Sequence, residues 1–385
     1  HFYQNDWGDY HIIGLVKNNT NRAKSSIELS LEVRDAGGAS ILKDSDGKIT
    51  ESTTIYPLLD NLFPGQTSPF DYYQSKDDGT PATVKVEATG SLSSSEEQSD
   101  VVVENVELFM GDPGEYYISG ELVNKSSSGS KVDSLAGAVL DDQGKMVAAD
   151  WSVTYAYYLA PNGDAGGMDR SPFVISIDGP TDADYSGFAT YVDGIVTDEI
   201  PIQEIYVTLT YDYFDEWGDF HVVGTLENGS NVKYSTYLVT GLYDENGVVL
   251  DAASSSLPMY LDPGAVIPFD ATYFSSVGWN DAQAERVDNY TTQIDPYWSY
   301  EAAYETVMMT SYTVSDVRDD SNWTFTGEVT NDSGKALSWI VVLVAVYNGD
   351  TLVGTDYYSI YPDGDEFAAG SKASFEVSAD LDPGL

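Results

Sequence analysis

The chain has 385 residues, 42% hydrophobic and 21% charged, a globular composition too long for one ordinary small domain. Lys and Arg number 17 against 63 Asp and Glu, a formal net charge of −46; a phosphate backbone or an anionic bilayer would repel this surface, and nucleic-acid binding is excluded. The absence of Cys removes disulfides, Cys-ligated zinc, iron–sulfur clusters and thiol catalysis, and only His1, His11 and His221 supply imidazole.

In chain order, the first legible element is the turn and strand Asp6-Trp7-Gly8-Asp9-Tyr10-His11-Ile12-Ile13-Gly14, followed by Asn18. A hairpin turn is predicted at Asp46-Gly47, and Pro64-Gly65 leads into a strand through Phe70. Residues from Val101 to Phe109 read as a strand, then Glu115-Tyr116-Tyr117-Ile118-Ser119-Gly120, Asn124, a turn at Gln143-Gly144, and alternation from Trp151 to Leu159. The acidic loop Pro161-Asn162-Gly163-Asp164 precedes a strand through Phe173. A strand from Ile205 to Tyr213 opens the next set, Glu216-Trp217-Gly218-Asp219-Phe220-His221-Val222-Val223-Gly224, Asn228, Asn246-Gly247, Pro263-Gly264 and Phe269, with a closing strand near Glu285 to Thr292. The last set runs Asn322-Trp323-Thr324-Phe325-Thr326-Gly327, Asn331, Asn348-Gly349, Pro362-Asp363-Gly364-Asp365 and Phe375. Side chains alternate with period two, and no segment has the spacing of an amphipathic helix.

These sets are one pattern read four times. Gly14, Gly120, Gly224 and Gly327 lie 106, 104 and 103 residues apart, and each is followed four residues later by Asn. The first and third copies share the Trp-Gly-Asp turn, while the second and fourth carry the longer acidic loops, so a two-domain unit occurs twice. The glycines on inward faces predict aromatic rings from a facing sheet packed over them. About a hundred residues with some seven short strands describe an immunoglobulin-like β-sandwich. The expected fold class is therefore all-β: four tandem sandwiches at 1–91, 92–195, 196–299 and 300–385.

The pattern Gly-x-x-x-Asn, hairpin, Pro-Gly and Phe resembles the FxLYD family of immunoglobulin-like modules over nearly the whole chain. That resemblance implies the same fold, a secreted or surface-attached location, and no established catalytic residues.

The first copy has six residues before Trp7, and the fourth has ten after Phe375, so a first strand and a last strand are expected to be missing. Two readings follow: the segment belongs to a longer array, or a neighbouring subunit donates the strands. A start on His rather than Met is read as a mature chain or an internal segment. The longest apolar run, Trp339 to Tyr347, has nine residues against the roughly 20 a spanning helix needs, so no membrane span is expected.

Chemistry is sparse. His11 and His221 occupy the same position in different copies and are duplicates rather than partners, so no catalytic residue is assigned and no enzyme is expected. Asn18, Asn124, Asn228, Asn289, Asn322 and Asn331 begin Asn-x-Ser/Thr sequons, read either as glycosylation acceptors or as turn-forming Asn. Acids crowd Asp6 to Asp9, Asp215 to Asp219, Asp319-Asp320 and Glu96-Glu97 to Asp100; solvated turns are expected, with structural Ca²⁺ as the alternative and no other cofactor. Asp44-Ser45-Asp46-Gly47 has the look of a calcium loop, but Leu42 and Thr53 stand where its end ligands belong. Tyr155, Tyr157, Tyr158 and Tyr357, Tyr358, Tyr361 read as core or interface rings, with sugar stacking as the alternative. The function expected is that of an acidic extracellular structural protein, a segment of a filament, stalk or surface layer that self-associates. The alternative is a surface adhesin with a glycan or protein ligand.

Overall fold

The computed structural model describes the chain except residues 6, 153–156, 164–167, 182–184, 199–203, 216, 258, 274–284, 295–299, 302–311, 320–322, 363, 365 and 383–385; side chains are further left aside at 273, 300–301, 312 and 314–319. The described residues are all-β, in antiparallel ladders, with one 3₁₀ turn at Lys76–Asp78. The alternation read from the sequence is the cause: in Lys24–Arg34, Ile27, Leu29, Leu31 and Val33 are buried while their neighbours face outward.

Two compact units divide the chain. The first comprises His1–Ile200, Gly241–Ala252 and Val277–Tyr290; the second comprises Pro201–Thr240, Ala253–Ser276 and Thr291–Leu385. In the first, Tyr10–Lys17 pairs with Phe2–Gln4 and Thr67–Gln74, and Lys24–Arg34 pairs with Thr53–Ile55, Asn61–Leu62 and Thr83–Ser93. Ile12, Phe70, Leu29, Leu31 and Leu62 close a core between those two sheets. The arrangement recurs: Glu115–Asn124 lies between Val101–Met110 and Arg170–Asp178, and Gly129–Leu140 pairs with Met146–Ser152, Tyr158–Leu159 and Gly187–Thr197. In the second unit, Phe220–Asn228 lies between Ile205–Phe214 and Val266–Tyr273, and Trp323–Thr330 between Tyr312–Asp319 and Lys372–Ala379. Ile340–Asn348 pairs with Thr351–Ile360, and Ile340, Val329, Phe375 and Val377 meet in one core.

The register is the same each time. Gly14 faces Phe70, Gly120 faces Phe173, Gly224 faces Phe269 and Gly327 faces Phe375. A Cβ added to Gly14 would stand 2.4 Å from the Phe70 ring, and one on Gly120 2.8 Å from the Phe173 ring. The expected aromatic packing is present, but the ring comes from the neighbouring strand of the same sheet rather than a facing sheet. Directly opposed Cβ atoms in a ladder are only about 5 Å apart, so a glycine leaves room for the partner ring to lie across the strand.

Three further differences emerge. The counterpart of the Asp141–Gly144 turn in the first copy is Asp35–Gly38, across which Arg34 bridges Ser40; Asp44–Gly47 closes an additional small ladder of Leu42–Lys43 with Ile49–Thr50. Both turns close identically, with Asp35 Oδ1 accepting the Gly37 and Ala39 amides and Asp44 Oδ1 the Asp46 and Lys48 amides, so either fits a hairpin reading. A first strand is present in the first copy as the short Phe2–Gln4. The strand expected near Glu285 to Thr292 is Asn289–Ile294.

Candidate functional site

The two internal histidines sit in matching clusters, His221 buried and His11 half-buried. His11, on Tyr10–Lys17, places Nδ1 2.7 Å from Oδ2 of Asp71 on the adjacent Thr67–Gln74. The Tyr3 ring stacks on the imidazole at 5.0 Å and 7°, and Tyr73 meets it edge-on at 5.9 Å. The Tyr3 hydroxyl donates to the carbonyl of Asp178, at the end of Arg170–Asp178, at 2.8 Å. Asn5 presents Nδ2 at 3.4 Å from His11 Nε2, while its Oδ1 accepts the Asp9 amide at 3.0 Å.

The second cluster repeats the first. His221, on Phe220–Asn228, contacts both oxygens of Asp270 through Nδ1 at 3.1 and 3.0 Å, with Thr272 Oγ1 at 3.3 Å. Tyr213 stacks on it at 4.5 Å and 8°, and the Tyr213 hydroxyl donates to the Asp380 carbonyl at 2.8 Å. Asp215 replaces Asn5: its Oδ1 accepts the Trp217 and Asp219 amides, and its Oδ2 lies 3.7 Å from His221 Nε2. His221 is 2% exposed, and its Nε2 is buried with no hydrogen-bond partner.

A further carboxylate is coupled to each cluster, Asp150 to the first and Asp356 to the second. Burial pushes the Asp150 carboxyl up to about 6, the charges of Asp71 and Asp178 add to the rise, and the Trp151 amide at 2.7 Å and His11 oppose it. Asp356 is raised in the same way, by burial and by Asp380 and Asp270, against the Tyr357 amide at 2.7 Å. Burial acts to lower both histidines, but bonds and charges from Asp71, Asp178 and Asp150 outweigh it at His11. Those from Asp270, Asp215 and Asp380 do so at His221, and both pKa values are raised. Asp270 is itself raised by burial, against the pull of His221. Each cluster can therefore take up a proton within a few ångströms of a tyrosine tie.

Sequence reasoning identified His11 and His221 as duplicates and missed their carboxylates. The 210-residue offset relates Tyr3 to Tyr213 and Asn5 to Asp215, but Asp71 and Asp270 stand 199 residues apart, so that offset does not reveal them. It also missed Asp193, which is fully buried and accepts the Ser134 amide at 2.6 Å, the Asn61 amide at 3.0 Å and Asn61 Nδ2 at 3.3 Å. Burial pushes Asp193 up to about 7 despite those bonds.

The four repeated asparagines are clamps. Asn18 Nδ2 donates to the Arg22 and Leu62 carbonyls, Asn124 to Ser128 and Ala160, Asn228 to Val232 and Leu261, and Asn331 to Lys335 and Phe367, all between 2.7 and 3.0 Å. Their Oδ1 atoms accept the amide two residues on, from Thr20, Ser126, Ser230 and Ser333. All four are buried, and a glycan on Nδ2 would displace one of these bonds; the folded geometry matches the turn reading of the sequon. Asn289 is exposed, and Asn322 lies outside the described residues.

Asp215 accepts the amides of its own turn, whereas Asp9 reaches residues distant in sequence. Asp9 accepts from the Tyr73 hydroxyl and the Lys76 amide, both at 2.8 Å. Among the described residues no group of three or more His, Asp or Glu is placed to hold a metal ion; Asp6, Glu216 and Asp320 lie outside them. Tyr157 bonds Asp133 under the Lys131 ammonium and meets Tyr158 edge-on at 5.4 Å, whereas Tyr357, Tyr358 and Tyr361 are exposed; Tyr155 is outside the described residues.

No family model matches the chain, and no curated protein matches it. Solved structures that align with it include the native conformation of E. coli alpha-2-macroglobulin, at 9% identity over 96% of this chain and 26% of that one, TM-score 0.15. Another is a calcium-binding mutant of Bacteroides uniformis beta-glucuronidase 2, at 8% identity over 90% and 32%, TM-score 0.14. The chain spans about a quarter to a third of the length of these proteins. No helix among the described residues is long and apolar enough to cross a membrane.

Proposed function

We propose that the chain is four tandem immunoglobulin-like sandwiches, at 1–91, 92–195, 196–299 and 300–385, forming two copies of a two-domain unit. In this reading it is a non-enzymatic extracellular structural protein, a segment or subunit of a filament, stalk or surface layer, of the FxLYD kind. The observation that carries it is the duplicated cluster: the same stacked Tyr–His pair, with the same tyrosine tie to a backbone carbonyl, joins repeats one and two and again repeats three and four. A catalytic pair would need one histidine cluster facing substrate, whereas here both rings are covered by tyrosine. The net charge of −46 keeps such a surface hydrated and dispersed. A cavity of about 290 Å³ lies beside Gly14, Leu15 and Val16, where the edge of Tyr10–Lys17 continues beyond its pairing with Phe2–Gln4, and it would accept a strand either from the same polypeptide or from a neighbouring subunit.

Force spectroscopy on the full chain tests the architecture. Four unfolding steps are expected, each releasing roughly a hundred residues, or about 330 to 360 Å of contour; one large step, or steps of unrelated length, would refute it. Labelling of intact cells with an antibody to the chain tests the location, and a wholly intracellular signal would refute it. The adhesin reading draws on exposed Trp7 and Trp217, at matching turn tips, and on Tyr361; a saturable ligand on a glycan array would favour it over a pure scaffold.

A further inference from the structure

We propose that the His11 and His221 clusters are proton-operated locks with different set points: each holds its tyrosine tie more firmly when its histidine is charged, and the Asn5/Asp215 difference keeps the second closed to higher pH. The groups facing His11 are Tyr3, Asn5, Asp71, Tyr73, Asp150 and Asp178; those facing His221 are Tyr213, Asp215, Asp270, Thr272, Asp380 and, through Asp270 and Asp380, Asp356.

The difference rests on hydrogen-bond polarity. Asn5 Oδ1 is committed to the Asp9 amide, so the group turned toward His11 Nε2 is an NH₂, a donor only. Nε2 must then accept, which places the single ring proton on Nδ1, toward Asp71, and favours neutral His11. Asp215 closes the corresponding turn with Oδ1 in the same way, through the Trp217 and Asp219 amides, but turns an acceptor toward His221 Nε2. That nitrogen is buried and unpartnered at 3.7 Å from Oδ2, so a proton there gains a carboxylate on each side of the ring. The neutral ring leaves Nε2 as a buried acceptor facing another acceptor.

The lock follows from where the ring lies. Each imidazole is stacked flat on the tyrosine that makes the tie, and the residues whose carbonyls accept that tie, Asp178 and Asp380, also act on the ring through their charges, together with Asp150 at His11. A cation at the ring is attracted by these carboxylates; a neutral ring leaves them repelling one another.

The test is a histidine NMR titration of the full chain, with peaks assigned by His11→Gln and His221→Gln. Expected are a higher titration midpoint for His221 than for His11, and an Nδ1–H tautomer for neutral His11. Asn5→Asp should raise the His11 midpoint and Asp215→Asn lower that of His221; both substitutions keep the Oδ1 that closes the turn, so folding is retained. Equal midpoints, or swaps that leave them unmoved, would overturn the set points. Hydrogen exchange of Met146–Ser152 and Thr351–Ile360 tests the lock, and protection should fall with rising pH in step with His11 and His221 respectively. Protection that runs the same course in the two Gln variants would overturn it.

Discussion

The sequon asparagines allow the turn-clamp and glycosylation readings to be separated by two substitutions two residues apart. Asn124→Ala removes bonds to the buried Ala160 carbonyl, the Ser128 carbonyl and the Ser126 amide, at 2.8, 2.8 and 2.9 Å. A buried acceptor left unsatisfied costs about 1–3 kcal/mol, and each of the other two, partly reached by water, about 0.5–1.5 kcal/mol, for a combined loss near 3 kcal/mol. Ser126→Ala destroys the same sequon but removes only an exposed 3.0 Å bond to the Ser128 amide, since in this repeat the hydroxyl makes no bond to Asn124 Oδ1. Its expected cost is about 0.5 kcal/mol. Hydrogen exchange followed by mass spectrometry on the full chain resolves the local effect, and 3 kcal/mol corresponds to roughly 150-fold faster exchange in Gly129–Leu140. If Ser126→Ala matched Asn124→Ala, or if Asn124→Ala exchanged like wild type, the clamp argument would fail.

Both histidines and Asp150 and Asp356 are raised in the folded state, so each contributes stability that is present in acid and lost as pH rises through its folded value. At constant salt, melting temperature should fall between about pH 5 and 8, and fall less in the His11→Gln, His221→Gln double variant; a rise would contradict the signs. Gly327→Ala should cost more than Gly14→Ala in a urea titration. A Cβ at Gly327 would lie 2.1 Å from the Thr313 carbonyl as well as against Phe375, whereas at Gly14 only the Phe70 ring must move, and equal losses would show that the backbone contact is not limiting. Asp193→Asn stays neutral at every pH while Asp193 itself, pushed up to about 7, becomes a buried anion in base, so the variant should gain on wild type from pH 5 to 8. A constant melting difference would refute that.

Much of the strand pattern was legible because each strand states it twice, once in alternation and once in the repeated Gly, Asn and Phe positions. The glycines were legible as places where a ring packs, but the register Gly14–Phe70 and its three counterparts was not, because the ring lies across a neighbouring strand of the same sheet instead of arriving from a facing one. The additional ladder at Leu42–Lys43 was not separable, because Asp35-Ala36-Gly37-Gly38 and Asp44-Ser45-Asp46-Gly47 offer the same Asx-turn chemistry nine residues apart. The carboxylates of the histidine clusters were hidden for another reason. Among 63 acids no single Asp stands out, and Asp71, Asp150 and Asp178 meet His11 only once strands distant in sequence are brought together.

The exchange of Asn5 for Asp215 shows how one cluster can diverge without losing its fold. The turn asks only for an Oδ1 that accepts backbone amides, and Asn and Asp supply it equally well. The remaining atom of the side chain is then free to differ, and it is the one facing the imidazole. A substitution neutral for the turn thereby reverses the hydrogen-bond polarity at His Nε2 while leaving the Tyr–His stack and the carbonyl tie in place. Had the carboxylate served only to hold the turn, its second oxygen would be expected to face water; instead the Asp215 side chain is 5% exposed beside a buried, unpartnered nitrogen.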